Sequence, residues 1–308
     1  MIKILSYAAA VLVPVFFVGI SLKYTTHDYS SNKSVLIAQP ILPGAAKAIL
    51  TLDNGETINL NKETADALQT IEGTNIQIDS TTLNYQLAQS TSVSPKPVYN
   101  KVEIPRGGEY ALVLSDGTKV HLNSMSSLRF PVAFTTGKRE VELQGEAYFE
   151  VSKTGQPFIV NANGIQVEVL GTTFNISAYP DEEYQTTLVN GSVKVSAEKG
   201  ESLILKPSQQ ATIALGSNSI QVRTVDTSFY TSWVKGKINF KDQRLEDIMK
   251  TLSRWYDMNV VYENEKLKNI RFGCNLNRYE EITPFVKLLE KTEEVHVKIE
   301  GNTITFHN

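Results

Sequence analysis

The spacing of apolar and polar positions divides the chain into three stretches of different character. From Ile4 to Leu22 there is no alternation: 19 uncharged residues run between Lys3 and Lys23 without a polar stripe. A helix of that length reaches ~29 Å at ~1.5 Å per residue, enough to cross the hydrocarbon core of a bilayer. Pro14 is tolerated inside such a helix. Val18-Gly19-Ile20-Ser21 makes a poor cleavage site, and no cysteine near this end is available to carry a lipid. The stretch therefore predicts an uncleaved anchor; a cleavable signal peptide is the alternative, and either exports the remainder. Lys3 points weakly to a cytoplasmic amino end.

The second stretch has period two. After a polar, then Pro-containing spacer at 24–48, ILTLDNGETINL (49–60) and ALVLSDGTKVHL (111–122) repeat one design: alternation, an Asn-Gly or Asp-Gly pair, alternation again. Facing decides the loop length. A two-residue loop would set Leu112 opposite His121, whereas a three-residue loop ending in Gly117 sets Leu112 opposite Val120 and Tyr110 opposite Leu122. The same loop ending in Gly55 sets Leu50 opposite Ile58. Keeping one face apolar favours the longer loop with a left-handed glycine. Short alternating runs then recur through about residue 225, among them Val141–Leu143, Tyr148–Val151, Phe158–Val160, Phe174–Ala178 and Val193–Val195. Glycines such as Gly145, Gly164 and Gly191 punctuate them. Many short strands uninterrupted by a helix predict a sandwich or related all-β body.

Near Trp233 the period changes again. Ile238–Lys241 predicts a strand, and Leu245, Ile248, Met249, Leu252, Trp255 and Tyr256 then share one helical face. Asn259–Tyr262 and Ile270–Leu276 predict strands. A second helix is expected with Thr283 as N-cap and Pro284 at its first position, burying Phe285, Val286, Leu288 and Leu289. Val295–Ile299 and Thr303–Phe306 close the chain as strands. The expected fold class is thus mainly β with an α+β C-terminal module: a transmembrane helix, an antiparallel all-β body, and a small strand–helix–strand repeat domain. The boundaries read as anchor 1–23, spacer and first hairpin region 24–100, all-β domain 101–228 and α+β domain 229–308.

Composition narrows the function classes. With 30 basic and 33 acidic residues the net charge is −3, and no basic face gathers, which argues against nucleic acid. The single cysteine, Cys274, permits no internal disulfide and reads as a small buried apolar residue. The four histidines, His27, His121, His296 and His307, lie far apart, and no spacing among them suits a metal. His121 and His296 take surface positions in their strands. Glu182-Glu183, Glu280-Glu281 and Glu293-Glu294 fall at turns or helix starts, where a solvated surface explains them. Pro105-Arg106-Gly107-Gly108 reads as a strand-entry turn rather than an anion cradle. No catalytic, cofactor-binding or metal-ligating residue is assigned, no cofactor is called for, and a non-enzyme is expected.

One resemblance covers nearly the whole chain. Pro105-Arg106-Gly107-Gly108, Leu114-Ser115-Asp116-Gly117-Thr118-Lys119-Val120, Ser127-Leu128-Arg129-Phe130-Pro131, Gly145-Glu146-Ala147-Tyr148-Phe149-Glu150-Val151, Pro157-Phe158, Leu170-Gly171-Thr172-Thr173-Phe174-Asn175 and Gly191-Ser192-Val193 occur in order. In that order they resemble the FecR domain of transmembrane sigma regulators. The last 70 or so residues look like the C-terminal domain of the same family, which is similar to the short N-terminal domains of secretins and TonB-dependent transducers. Pro207-Ser208-Gln209 departs from the family pattern, with serine where glycine is usual.

The resemblance implies a single-pass inner-membrane anti-sigma factor with its bulk in the periplasm. Its implied partners are the signalling domain of a TonB-dependent outer-membrane transducer and an extracytoplasmic-function sigma factor. Only Met1–Lys3 precede the anchor, too few for a sigma-binding interface, so that arm is expected upstream of Met1 or on a separate chain. The expected receiving surface is the strand edge Ile270–Leu276, with Arg271, Asn275 and Asn277 facing the partner. The competing reading is a cell-envelope β-sandwich that binds a glycan or another ligand directly; it needs an exposed row of aromatics, whereas Tyr148, Phe149, Phe158 and Phe174 look internal.

Overall fold

Alternating burial along the strands shapes the architecture, seen in a computed structural model that describes residues 40–61, 68–71, 74–79, 81–87, 97–135, 137–198 and 200–308. The expected anchor, Ile4–Leu22, lies outside the described residues; within them no helix is long and apolar enough to cross a membrane. Two large sheets build the body. One runs, in spatial order, Thr57–Leu60, Ala48–Thr51, Tyr99–Glu103, Ser127–Pro131, the first half of Arg139–Glu150, Phe158–Ala162, Ile165–Val169, Val193–Ser196 and Ser202–Leu205. The other runs Leu68–Ile71, Thr74–Ile78, Thr82–Leu87, Gly108–Val113, Lys119–Leu122, the second half of Arg139–Glu150, Thr173–Ala178, Tyr184–Asn190, Gln209–Ile213 and Gln221–Thr224. Most neighbours are antiparallel, but Arg139–Glu150 meets Phe158–Ala162 in parallel, and so does Thr82–Leu87 meet Gly108–Val113.

The 12-residue strand Arg139–Glu150 belongs to both sheets. The sequence pattern predicts two strands with Gly145 as punctuation; the structure carries one strand through it. Gly145 has φ +86, and a Cβ there would lie 2.5 Å from Ser126 Oγ. The glycine lets the strand turn from one sheet into the other without ending. Phe149 and Phe158, one on each sheet, meet at 6.1 Å, as do Tyr85 and Phe130 at 5.1 Å, so the sheets pack face to face around one apolar core running from Ala48 to Ile220. The hairpin registers follow the facing argument: Tyr110 opposes Leu122, Leu112 opposes Val120 and Leu50 opposes Ile58, with Gly117 and Gly55 left-handed.

The C-terminal module is built around two helices. After short α1 (Ser228–Thr231) and a 3-10 turn holding Trp233, strand Lys237–Arg244 leads into α2 (Leu245–Tyr256). Strand Arg271–Asn277 pairs antiparallel with Lys237–Arg244, and α3 (Thr283–Glu290) follows. A three-stranded sheet, Asn259–Tyr262, Thr303–His307 and His296–Glu300, closes the other side. All six apolar residues expected on the α2 face are buried.

Helix α3 departs from expectation. Thr283 is its first residue and makes no side-chain cap; Ile282 holds the N-cap position. Ile282 is buried in the module core, and its carbonyl accepts the amides of Phe285 and Val286, so an apolar anchor starts the helix in place of a polar cap. Leu288 is 45% exposed while Phe285, Val286 and Leu289 are buried, because eight residues offer only a narrow inward face. Body and module lie within one compact unit, Pro40–Asn308.

Candidate functional site: the seam between body and module

No concentration of catalytic groups stands out, and among the described residues no group of three or more His, Cys, Asp or Glu is placed to hold a metal. The densest buried polar chemistry lies where the module meets the body. At its centre is Glu146, half-buried on the long shared strand. Its two carboxylate oxygens accept from Asn175 Nδ2 at 3.0 Å and Asn123 Nδ2 at 2.7 Å. Each asparagine then turns its oxygen toward the module: Asn175 Oδ1 accepts Trp233 Nε1 at 3.1 Å, and Asn123 Oδ1 accepts Arg278 Nη2 at 2.5 Å. Glu146 thus fixes which way both amides face, and both amides fix where the module sits. Burial pushes the Glu146 carboxyl above the usual carboxylate range, opposed by the amides of Asn175 and Asn123 and by the charges of Arg254 and Arg278.

Two arginines of the module complete the seam. Arg278 is 1% exposed. Its guanidinium lies 3.7 Å from the Trp255 ring centre, and Nε pairs with Glu109 at 3.2 Å. Trp255 Nε1 donates back to the Arg278 carbonyl at 2.6 Å. Arg254 lies over Tyr179 at 3.8 Å and pairs with Glu182.

The Pro105–Gly108 turn also acts here. Arg106 donates through Nη2 to the carbonyls of Ser253 and Met258 at 3.0 and 2.6 Å, and its Nε faces Asp257 at 3.1 Å. Gly107 N donates to Arg254 O at 2.7 Å. The turn therefore caps the carboxyl end of α2 from the body, supplying donors where a helix end leaves carbonyls unpaired. Sequence reasoning took it for a strand-entry turn only; the missing signal was its distance of some 150 residues from the helix it caps.

The expected partner-facing residues fall on one face of strand Arg271–Asn277. Arg271, Asn275 and Asn277 are all exposed. Arg271 bonds the Asp242 carbonyl and faces its carboxylate at 3.5 Å. Asn277 is tied into the following turn through Tyr279 N and Glu280, leaving Asn275 the freest of the three. Among the described residues neither outer edge of this two-stranded sheet pairs with another strand. Arg278 N donates to Gly236 O, so by antiparallel alternation the backbone groups of Asn275 and Gly273 point away from the partner strand, to the open edge. On the opposite edge, Asn239 and Lys241 border a polar cleft of about 620 Å³ between module and body. Cys274 packs against the module core, and burial pushes its thiol up to about 11.

The family model described as FecR protein matches residues 100–194, and that described as FecR, C-terminal matches residues 237–306. The chain belongs to the FecR family. Two crystal structures of a protein from Parabacteroides distasonis ATCC 8503, provisionally described as an anti-sigma factor, superpose with this FecR protein at TM-score 0.63. They share 26% and 25% identity; each match covers 68% of this chain, and 98% and 99% of the respective neighbour. No curated protein matches the sequence significantly. The Glu146 network and the Pro105–Gly108 latch both join residues of the FecR match to residues of the C-terminal match or the turn before it.

Proposed function

We propose that this FecR protein is a membrane-anchored anti-sigma regulator, not an enzyme. Its C-terminal module receives the signalling domain of a TonB-dependent outer-membrane transducer, and the chain passes that event to an extracytoplasmic-function sigma factor. The anchor is Ile4–Leu22, and the bulk of the chain lies in the periplasm. Support for the regulatory role comes from the family and from the anti-sigma description of the structural neighbour. The observation that carries the docking mode is the unpaired outer edge of Arg271–Asn277. Such an edge accepts an extended segment by strand addition, with affinity from main-chain hydrogen bonds and specificity from alternate side chains, here Arg271, Asn275 and Asn277.

A direct glycan-binding role has less support, because Phe149, Phe158 and Phe174 are fully buried in the body. The test compares binding of the transducer's signalling domain to wild type, Asn275→Ala and Asn275→Pro. Proline removes an N–H from the open edge and leaves the inner ladder intact. Strand addition predicts at least a tenfold loss for Asn275→Pro and a small loss for Asn275→Ala; equal binding by all three rejects docking at this edge.

A further inference from the structure

Between the expected anchor and the first long body strand, the chain passes through the seam itself. Ile41 is buried, and it is buried in the core of the C-terminal module rather than that of the body. Its carbonyl accepts the amide of Ile282, the residue that starts α3, at 3.3 Å. Three residues on, Gly44 threads a gap too tight for any side chain: a Cβ there would lie 2.7 Å from both the Trp255 ring and the Gly107 carbonyl. Ala45 N then donates to Gly107 O at 2.9 Å, and Ala45–Ala46 pair in parallel with Gly108–Glu109. Lys47 N donates to Glu109 O at 3.2 Å, and Ala48 enters the body core. A segment of eight residues, Pro40–Lys47, is thus pinned to the module at one end and to the body at the other, layered against the Pro105–Gly108 turn that holds α2.

We propose that Pro40–Lys47 is a strap locked by the C-terminal module: the module and the strap release together, so that loosening the module frees the stem that leads to the amino-terminal residues. Three contacts carry this coupling. Gly107 is shared, its carbonyl holding Ala45 of the strap while its amide holds Arg254 at the end of α2. Trp255 is shared, one ring face against the Arg278 guanidinium and its benzo edge within reach of Gly44. Ile282 is shared, as the N-cap of α3 and the donor to Ile41. The module-side end of the strap, Ile41 to Gly44, therefore keeps its anchorage only while α2 and the start of α3 stay docked. By reciprocity, whatever pulls the strap out also loosens the module. Once free, eight residues span up to ~26 Å at ~3.3 Å each, enough to change how the body is held relative to the segment before it.

The strap also explains how a strand added at one edge acts elsewhere. Arg271–Asn277 runs directly into Arg278, which holds Glu109 and Asn123, and then into Ile282, which holds Ile41. Docking at the edge thus lies five residues from the strap's clamp. That consequence rests on the docking mode proposed above, whereas the lock itself is a property of this chain alone.

Hydrogen exchange on the full chain without any partner tests the lock. In the wild type, peptides covering 41–48, 105–109 and 278–286 are expected to be protected and to open together. Arg106→Ala removes the donors to Ser253 and Met258 without touching the strap's own hydrogen bonds. It is expected to accelerate exchange in 278–286 and in 41–48 alike, by at least tenfold, while the body peptide 119–123 keeps its wild-type rate. If 278–286 opens and 41–48 does not, or if 41–48 exchanges freely in the wild type, the lock is refuted. Should Arg106→Ala unfold the body, Gly44→Val reads the coupling in the other direction: forcing the strap out must accelerate 278–286 tenfold, and an unchanged rate there refutes the proposal. Because no transducer enters the measurement, failure here leaves the docking edge standing, and failure of the Asn275→Pro test leaves the lock standing.

Discussion

The body and the C-terminal module solve the same packing problem with different materials. The body closes a long apolar core between two sheets, with Phe149 stacked on Phe174 at 5.1 Å and the shared strand binding both layers. Its one fully buried cation among the described residues, Arg139, is paired locally with Asp116 at 2.6 Å and with the carbonyls of Ser152 and Gln156. The module has a smaller core and a boundary with the body held by Glu146, Arg278, Arg254 and Arg106. Apolar contact tolerates small shifts. A hydrogen-bonded seam of charged and amide groups is held only in register and is weakened sharply by the loss of one member. The lock proposed above uses that contrast: the module and the strap loosen at the seam while the body core stays closed.

Substitutions on the two sides sharpen the contrast. Phe174→Ala leaves a cavity against Phe149 and is expected to cost about 4 kcal/mol. In denaturant it should lower one global transition, because the body core supports everything else; an early transition confined to the module would contradict this. Arg278→Ala removes a buried cation that serves Glu109, Asn123 and the Trp255 face together, at roughly 3 kcal/mol. Here the loss should appear as a module that opens before the body unfolds, seen as Trp233 and Trp255 fluorescence changing ahead of the far-ultraviolet circular dichroism. Trp233→Phe deletes only the donor to Asn175 Oδ1 and is expected to weaken the same seam by about 1 kcal/mol.

The smallest effect is a pH dependence within the body. Burial beside Tyr148 holds the His121 imidazole below its usual 6.5. The unfolded chain therefore takes up this proton first as pH falls. The stability it carries is present above 6.5 and is lost as pH drops through the lower folded value. His121→Phe should flatten that part of the stability profile in urea titrations, whereas an unchanged slope would place the pH dependence elsewhere.

Much of the fold is legible in the residues because it is local. The three-residue hairpin loops follow from keeping Leu112 opposite Val120, and the α2 face follows from a period of 3.6 from Leu245 to Tyr256. Less legible were features that need a distant partner. Nothing near Gly145 announces that its strand continues into a second sheet, since the reason is Ser126 lying against it. Ile282, which takes the cap position in place of Thr283, is buried in one core with Ile41, more than 200 residues away.

The same division holds for function. Sequence periodicity and motif order determined the mainly β class and the family, because each is written in neighbouring residues. Only the tertiary structure decided that Pro105–Gly108 caps a helix of the C-terminal module, that Glu146 orients two asparagines across a seam, and that the strap Pro40–Lys47 runs against Trp255. Those contacts join residues whose proximity the chain itself does not encode at short range. They form where two apolar cores meet and the polar groups at their boundary pair with one another.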